Sequence, residues 1–65
     1  MDANKIGENL KLLRGKTPVV KLAKKLEISS SAIYMYESGK RVPTDDIKKK
    51  YAKAFKTTVD KLFYK

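Results

Sequence analysis

Residues 22–43, with the sequence LAKKLEISSSAIYMYESGKRVP, constrain the fold more than any other part of the chain. The pattern predicts a short amphipathic helix, a tight turn that ends at a serine cap, Ser29, and a second short helix over about residues 30–38. Gly39 suits the left-handed position that commonly follows a helix, and a basic loop closed by a proline comes next. Two short helices joined in this way form a helix-turn-helix unit.

The remainder of the chain predicts three more helices, which makes an all-α fold of five short helices without strands. The first helix covers about residues 3–14. Within it Ile6, Leu10 and Leu13 recur at helical spacing and form a predicted buried stripe. No internal repeat, low-complexity tract or linker interrupts the sequence, so residues 1–65 are predicted to form one domain.

Threonines predict where the other helices begin. Thr17 is expected to cap the second helix, with Pro18 at the first helical position, where a missing N–H is no loss. Thr44 is expected to cap the fourth helix and Thr58 the fifth. The predicted inward-facing residues of these three helices are Val19, Leu22, Ala23 and Leu26, then Ile47, Tyr51 and Phe55, then Val59, Leu62 and Phe63.

Composition narrows the possible functions. The chain has no cysteine and no histidine, which excludes disulfides and the usual zinc ligands, and no cofactor is expected. It has no apolar run of the length that a membrane span or signal peptide needs, and a cytoplasmic location is expected. Sixty-five residues carry a net charge of +9, which favours an anionic partner, most simply nucleic acid. The alternative is a solubilising surface, because fourteen lysines accompany only two arginines.

The pattern LA-xx-L-x-I-S-xx-xI-xx-YE-xGKR-x-P resembles the Cro/C1-type helix-turn-helix family, also called the XRE family, of phage and bacterial repressors. The resemblance implies a lambda-repressor-like domain that binds double-stranded DNA and regulates transcription in the nucleoid. The matching residues are Leu22, Ala23, Leu26, Ile28, Ser29, Ile33, Tyr36, Glu37, Gly39, Lys40, Arg41 and Pro43.

The outward face of the third helix is the expected base-reading surface. If Ile33 points into the core, residues on the opposite face point away from it. The resemblance also assigns base contacts to this face, at Ser30, Ser31, Tyr34 and Met35. Serine discriminates weakly among bases, and the face has no arginine or glutamine for strong bidentate contacts. Modest sequence discrimination, or help from DNA shape, is therefore expected.

Phosphate contacts are expected at two places outside that face. Lys40 and Arg41 follow the third helix, in a loop that borders the DNA backbone in relatives. Lys16 and Thr17 lie at the N-terminus of the second helix, where free N–H groups and the helix dipole favour an anion. For each of these charged residues the alternative is a solvated surface charge.

Two further sets of charged residues are expected to be structural. The resemblance implies that Arg14, at the end of the first helix, forms an ion pair with Glu37. The lysines of the fourth helix lie on an element that relatives hold away from the major groove, so a solvated face is expected there. These lysines are Lys48, Lys49, Lys50 and Lys53.

The working form on DNA is expected to be a homodimer, because one short helix reads few base pairs. The candidate interface residues are Leu62, Phe63 and Tyr64. One alternative function is an antitoxin-like or antirepressor-like protein that uses the same fold to hold a protein partner. Another is a basic protein that binds anionic membrane surfaces. An enzyme is not expected, because no nucleophile–base pair is present.

Overall fold

The computed structural model describes residues 2–64. These residues form five α-helices and no strand, so the predicted all-α, five-helix architecture is confirmed. The helices are α1 (Ala3–Arg14), α2 (Val19–Leu26), α3 (Ser30–Glu37), α4 (Asp45–Ala54) and α5 (Val59–Phe63). None of the helices in this part of the chain is long and apolar enough to cross a membrane.

Side-chain caps begin three of the helices where the sequence predicts them. The hydroxyls of Ser29, Thr44 and Thr58 each accept a hydrogen bond from a backbone N–H in the first turn of α3, α4 and α5, at 3.1, 3.4 and 3.2 Å. The predicted cap of α2 is wrong. Pro18 itself occupies the cap position, with extended backbone at ψ 140, and its helix begins one residue later. The guanidinium of Arg14 donates to the carbonyl oxygen of Thr17 at 2.8 Å, which holds Thr17 in the preceding turn.

Gly39 ends α3 as predicted. Its φ of +78 lies in the left-handed region, where a side chain would be strained. The N–H of Gly39 donates to the carbonyl of Tyr36, and the N–H of Lys40 donates to the carbonyl of Met35. These bonds satisfy carbonyls that the end of the helix would leave unpaired, and they direct the following loop sharply away from the helix axis.

One hydrophobic core joins all five helices. α1 packs against α3, α2 packs against both α3 and α4, and α4 packs against α5. Leu10, Leu26 and Ile33 are almost completely buried at its centre. The buried core residues are Ile6, Leu10, Val19, Leu22, Ala23, Leu26, Ile33, Tyr36, Tyr51, Ala52 and Phe63.

The predicted buried stripe of α1 is wrong at Leu13, which is 37% exposed. Gly7 takes part in the buried face instead, because α1 approaches the C-terminal end of α3 so closely that no side chain fits between them. Leu13 lies near the other end of α1, beside α5. There, with Asn9, it lines a shallow groove beside Lys61 and Leu62.

Tyr51 is the centre of an aromatic cluster. Its ring is fully buried and meets Tyr36 and Phe63 edge to face, with centroids 6.5 and 6.4 Å away, and stacks on Phe55 at 6.4 Å. Such arrangements contribute beyond the area they bury. The predicted stripe of α4 therefore holds, although α4 ends at Ala54 and Phe55 is its C-terminal cap residue.

The expectation of a solvated lysine face on α4 is wrong for Lys48, which is only 6% exposed. Its Nζ donates to the hydroxyl of Tyr64 at 2.9 Å and lies 5.5 Å from the ring centroid of Phe63. A cation above an aromatic face is attracted by the ring. Lys48 thus joins α4 to the end of α5, whereas Lys49 and Lys53 are exposed as expected.

Candidate DNA interface

The outer face of α3 presents most of the residues predicted to read bases. Ile33 and Tyr36 are 0% and 7% exposed and fix the inner side of the helix. Tyr34 and Met35 are 58% and 40% exposed on the other side. Ser31 is exposed one turn before Met35, whereas Ser30 is only partly exposed. The most accessible of the four predicted residues are therefore Ser31, Tyr34 and Met35.

The helix start does not account for Ser30 and Ser31. The capping hydroxyl belongs to Ser29, which accepts the N–H of Ala32. Ser30 and Ser31 are the first two residues inside the helix, so neither hydroxyl is needed to cap the free N–H groups of its first turn. A hydroxyl at the exposed Ser31 can both donate and accept a hydrogen bond at the surface of the protein.

The basic loop after α3 is held close to the end of that helix. The backbone N–H groups of Lys40 and Arg41 both donate to the carbonyl of Met35, at 3.0 and 3.3 Å. Both side chains are exposed, and Pro43 is buried and anchors the far end of the loop. Val42 lies between Arg41 and Pro43 and is 48% exposed. Val42 is not among the residues predicted from the sequence to contact DNA, although an apolar side chain within a basic loop can contact a sugar or a methyl group.

The start of α2 contains the other residues predicted to contact phosphates. Lys16 is exposed and Thr17 is partly buried. No side chain caps α2 in the structure, so the N–H groups of its first turn are not engaged by a cap residue. Uncapped N–H groups at a helix N-terminus, together with the helix dipole, favour a bound anion.

Arg14 and Glu37 hold the end of α3 and the turn before α2 in a fixed relation. The guanidinium donates from Nε to Oε2 at 2.6 Å and from Nη2 to Oε1 at 3.0 Å, which is a bidentate pair. The side chains are 15% and 6% exposed. The hydrogen bond to Glu37 raises the pKa of Arg14, so the guanidinium stays charged at any physiological pH. Since Arg14 also binds the carbonyl of Thr17, one side chain joins the end of α3 to the turn before α2.

Comparison with known protein families matches the chain to a helix-turn-helix model over residues 8–62. That match covers α2, α3 and the loop after α3 completely. The chain belongs to the Cro/C1-type helix-turn-helix family. Its five helices form the lambda-repressor-like arrangement expected for that family, and the protein is a DNA-binding helix-turn-helix regulator. Neither a curated protein nor a solved structure matches the chain significantly.

Within residues 2–64 no cluster of acidic residues is suited to hold a metal ion. The exposed side chains on α3 and in the loop after it include hydroxyl, aromatic, thioether and cationic groups. Such groups bind bases by hydrogen bonds and apolar contact, and bind phosphates by charge.

Proposed function

We propose that this protein is a transcription regulator, a repressor of phage or mobile-element type, which binds specific sites in double-stranded DNA with α3 in the major groove. One observation carries the proposal. α3 exposes Ser31, Tyr34 and Met35 on one face while Ile33 and Tyr36 fasten the opposite face to the core. A short helix held in this way can enter the groove without losing its own packing.

The exposed side chains have different roles in this proposal. The Ser31 hydroxyl, assisted by the less accessible Ser30, bonds base edges, and the Met35 thioether contacts the methyl group of thymine. Tyr34 packs on a sugar or bonds a phosphate. None of these groups makes a strong bidentate contact, so the deformability of the site contributes to its selection.

The cations place the protein on the backbone. Lys40 and Arg41 bind phosphates at the C-terminal end of α3, and Lys16 with Thr17 binds a phosphate at the start of α2. These two sets of contacts fix the register of the recognition helix along the duplex. We further propose that two copies bind together on a two-fold site and that the protein works on DNA in the cytoplasm.

A selection from random duplex oligonucleotides, followed by a salt titration on the enriched site, tests the proposal. If roughly five phosphates are neutralised per protomer, the logarithm of the affinity should fall with the logarithm of salt concentration at a slope of about −4 to −5. A pool without enrichment would reject sequence specificity. Failure to bind duplex DNA at low salt would reject DNA binding itself.

A second candidate function is an antitoxin-like or antirepressor-like role in which the fold holds a protein partner. The observation in its favour is Leu12, which is 80% exposed on the outer side of α1. It borders a shallow apolar depression that is also lined by Glu8, Lys11 and Gly15. A Leu12→Ser variant that still binds DNA but no longer binds a co-purifying protein would favour this role.

A further inference from the structure

A second concentration of positive charge lies between α2 and α4, away from the outer face of α3. Because α2 packs against both α3 and α4, its α4 side is a different flank from the one beside the recognition helix. Two adjoining depressions run along this flank, of about 260 and 440 Å³, and Lys25 and Ala54 line both. We call the continuous surface the basic groove, and its four lysines are Lys21, Lys25, Lys50 and Lys53.

The charges of the basic groove are not balanced within the described part of the chain. Glu27 is its one lining carboxylate, and none of the four lysines forms a salt bridge within residues 2–64. Lys21 and Lys25 are four residues apart on α2, and Lys50 and Lys53 are three apart on α4. Like charges at these spacings repel each other and destabilise a helix. The fold thus concentrates repulsion at one surface, which a polyanion would relieve.

The basic groove also continues the proposed DNA interface. Thr17, at the start of α2, lines the first depression together with Lys21. A strand whose phosphate binds at Thr17 can therefore pass directly to Lys21 and then to Lys25. The exposed side chains of the groove are Lys21, Lys25, Glu27 and Lys53, and Leu22 at its floor is only 2% exposed. A protein partner would need large apolar anchors at the centre of its contact, whereas phosphates need only the cations.

We propose that the basic groove binds the phosphate backbone of the same DNA duplex, outside the segment that α3 reads. This inference rests on the proposed DNA-binding function and extends it. The footprint is then longer than the recognition helices require, and the flanking duplex bends toward α4. Affinity depends on the length of flanking DNA and not on its sequence.

The test compares two pairs of substitutions that remove the same charge from the same two helices. Lys25→Gln with Lys53→Gln removes two cations of the basic groove, and both side chains are exposed, so the fold is not disturbed. The matched control is Lys24→Gln with Lys49→Gln, at exposed lysines that do not line the groove. Binding is measured against salt on a duplex of about 20 base pairs, which holds two half-sites, and on one of about 40 base pairs with the same centre.

On the long duplex the groove variant should have a salt slope shallower than that of the control by about two units per protomer. On the short duplex the two variants should agree. The charge-retaining pair Lys25→Arg with Lys53→Arg should behave like the unmodified protein on both. Melting temperatures of all variants, measured by circular dichroism, show that each one is folded.

Equal slopes for groove variant and control on the long duplex would overturn the inference while leaving the proposed function in place. A groove variant that loses binding to a polyglutamate peptide, but not to the long duplex, would also overturn it and identify an acidic protein as the occupant. Failure of the unmodified protein to bind either duplex would reject the proposed function itself.

Discussion

Among residues 2–64, the hydroxyl of Tyr51 is the buried side-chain oxygen without a hydrogen-bond partner. Burial raises the pKa of this phenol, and the negative charge of Glu37 raises it further. An unpaired buried hydroxyl costs about 1–3 kcal/mol of stability. Tyr51 thus contributes its ring to the core while its hydroxyl works against folding.

We predict that Tyr51→Phe is at least as stable as the natural protein at neutral pH, and more stable by about 1 kcal/mol if the penalty is fully recovered. Above about pH 10 an unfolded tyrosine ionises, whereas the folded Tyr51 keeps its proton. The unfolded state then binds fewer protons, so the natural protein loses stability as pH rises. The Phe variant should lose less. Urea unfolding from neutral to alkaline pH measures both effects, and a clearly less stable variant at neutral pH would mean that the hydroxyl has a partner.

The bidentate pair of Arg14 and Glu37 supports a second prediction at the residue scale. Arg14→Ala and Glu37→Ala should each cost about 3 kcal/mol, the lower end of the range for a buried pair, because Arg14 keeps 15% exposure. The double variant should lose clearly less than the sum, since each single change leaves one charge without its partner. Lys11→Ala, at an exposed cation on the same helix, is the control and should stay within about 0.5 kcal/mol. Additive losses in urea unfolding would show that the pair is not coupled.

The close packing of helix α1 against helix α3 determines the position of α3. A Cβ placed on Gly7 would lie 2.5 Å from the carbonyl oxygen of Glu37 and 2.6 Å from that of Tyr36. Both atoms belong to the backbone at the end of α3, so they cannot move aside without moving the helix. The distance between α1 and α3 therefore depends on the absence of a side chain at residue 7.

We predict that Gly7→Ala destabilises the fold by about 2 kcal/mol, although alanine is the better helix former, because overpacking outweighs propensity. Gly15→Ala is the control. It meets no atom closer than 3.8 Å, and only its backbone conformation, with φ +57 and ψ −123, opposes a side chain, at a cost of about 1–3 kcal/mol. Thermal unfolding measures stability, and affinity for the selected site reports on the position of α3. DNA affinity should fall for Gly7→Ala and not for Gly15→Ala; the reverse order would contradict the close-packing argument.

The recognition helix and the loop after it should respond differently to substitution. Arg41→Ala should weaken binding to all sequences alike and flatten the salt slope by about one unit. Ser31→Ala and Met35→Ala remove no charge, so the slope should stay the same while the preference for the selected site over random DNA narrows by about 1–3 kcal/mol. Affinities for both duplexes at several salt concentrations measure this. If both variants keep the full preference, α3 is not the reading element and the protein-partner function gains support.

Local chemistry explains which elements the sequence predicts. Ser29, Thr44 and Thr58 are caps because the bond they make lies within three residues, so the sequence contains everything needed. Leu13 and Lys48 were placed wrongly because their surroundings come from distant helices. Helical periodicity puts Leu13 on the same face as Ile6, but in the folded protein Leu13 lines a shallow groove beside Lys61 and Leu62 and stays partly exposed. Lys48 is buried because Phe63 and Tyr64 cover it, and the residues near Lys48 in the sequence do not predict that contact.

The candidate site follows the same division. The outward position of Ser31, Tyr34 and Met35 follows from helical geometry once Ile33 is assigned to the core. The basic groove does not, because it needs the angle between α2 and α4. The spacing of the lysines along each helix can be read from the sequence, but only the packing of α2 on α4 brings the two pairs of lysines together.

The size of the whole molecule predicts how many protomers bind one DNA site. The described part of the chain measures 26 × 24 × 21 Å. Successive major grooves on one side of a duplex are about 34–36 Å apart, so one protomer reads one of them. We therefore predict two protomers per site, held weakly or not at all in free solution. Phe63 is buried, which leaves the exposed Tyr64 and the partly exposed Leu62 as candidates for the contact.

Analytical ultracentrifugation of the complex and a footprint at saturating protein test this arrangement. Tyr64→Ala should reduce the cooperativity of binding without changing contacts to bases, although it also removes the hydrogen bond from Lys48. Lys48→Met, which removes the same hydrogen bond and leaves the Tyr64 side chain in place, is the matched control. A saturated footprint over a single half-site would exclude the dimer.

The close approach at Gly7 also limits how this surface can be transferred between proteins. Residues 16–43 contain every side chain proposed to contact bases or phosphates around α3. The parts that aim them, Gly7 and Arg14, lie outside that segment on α1. A graft of residues 16–43 onto another five-helix scaffold would thus transfer the DNA preference only where the acceptor has a glycine facing the end of α3. A larger residue there would carry the same recognition side chains at a different angle to the groove.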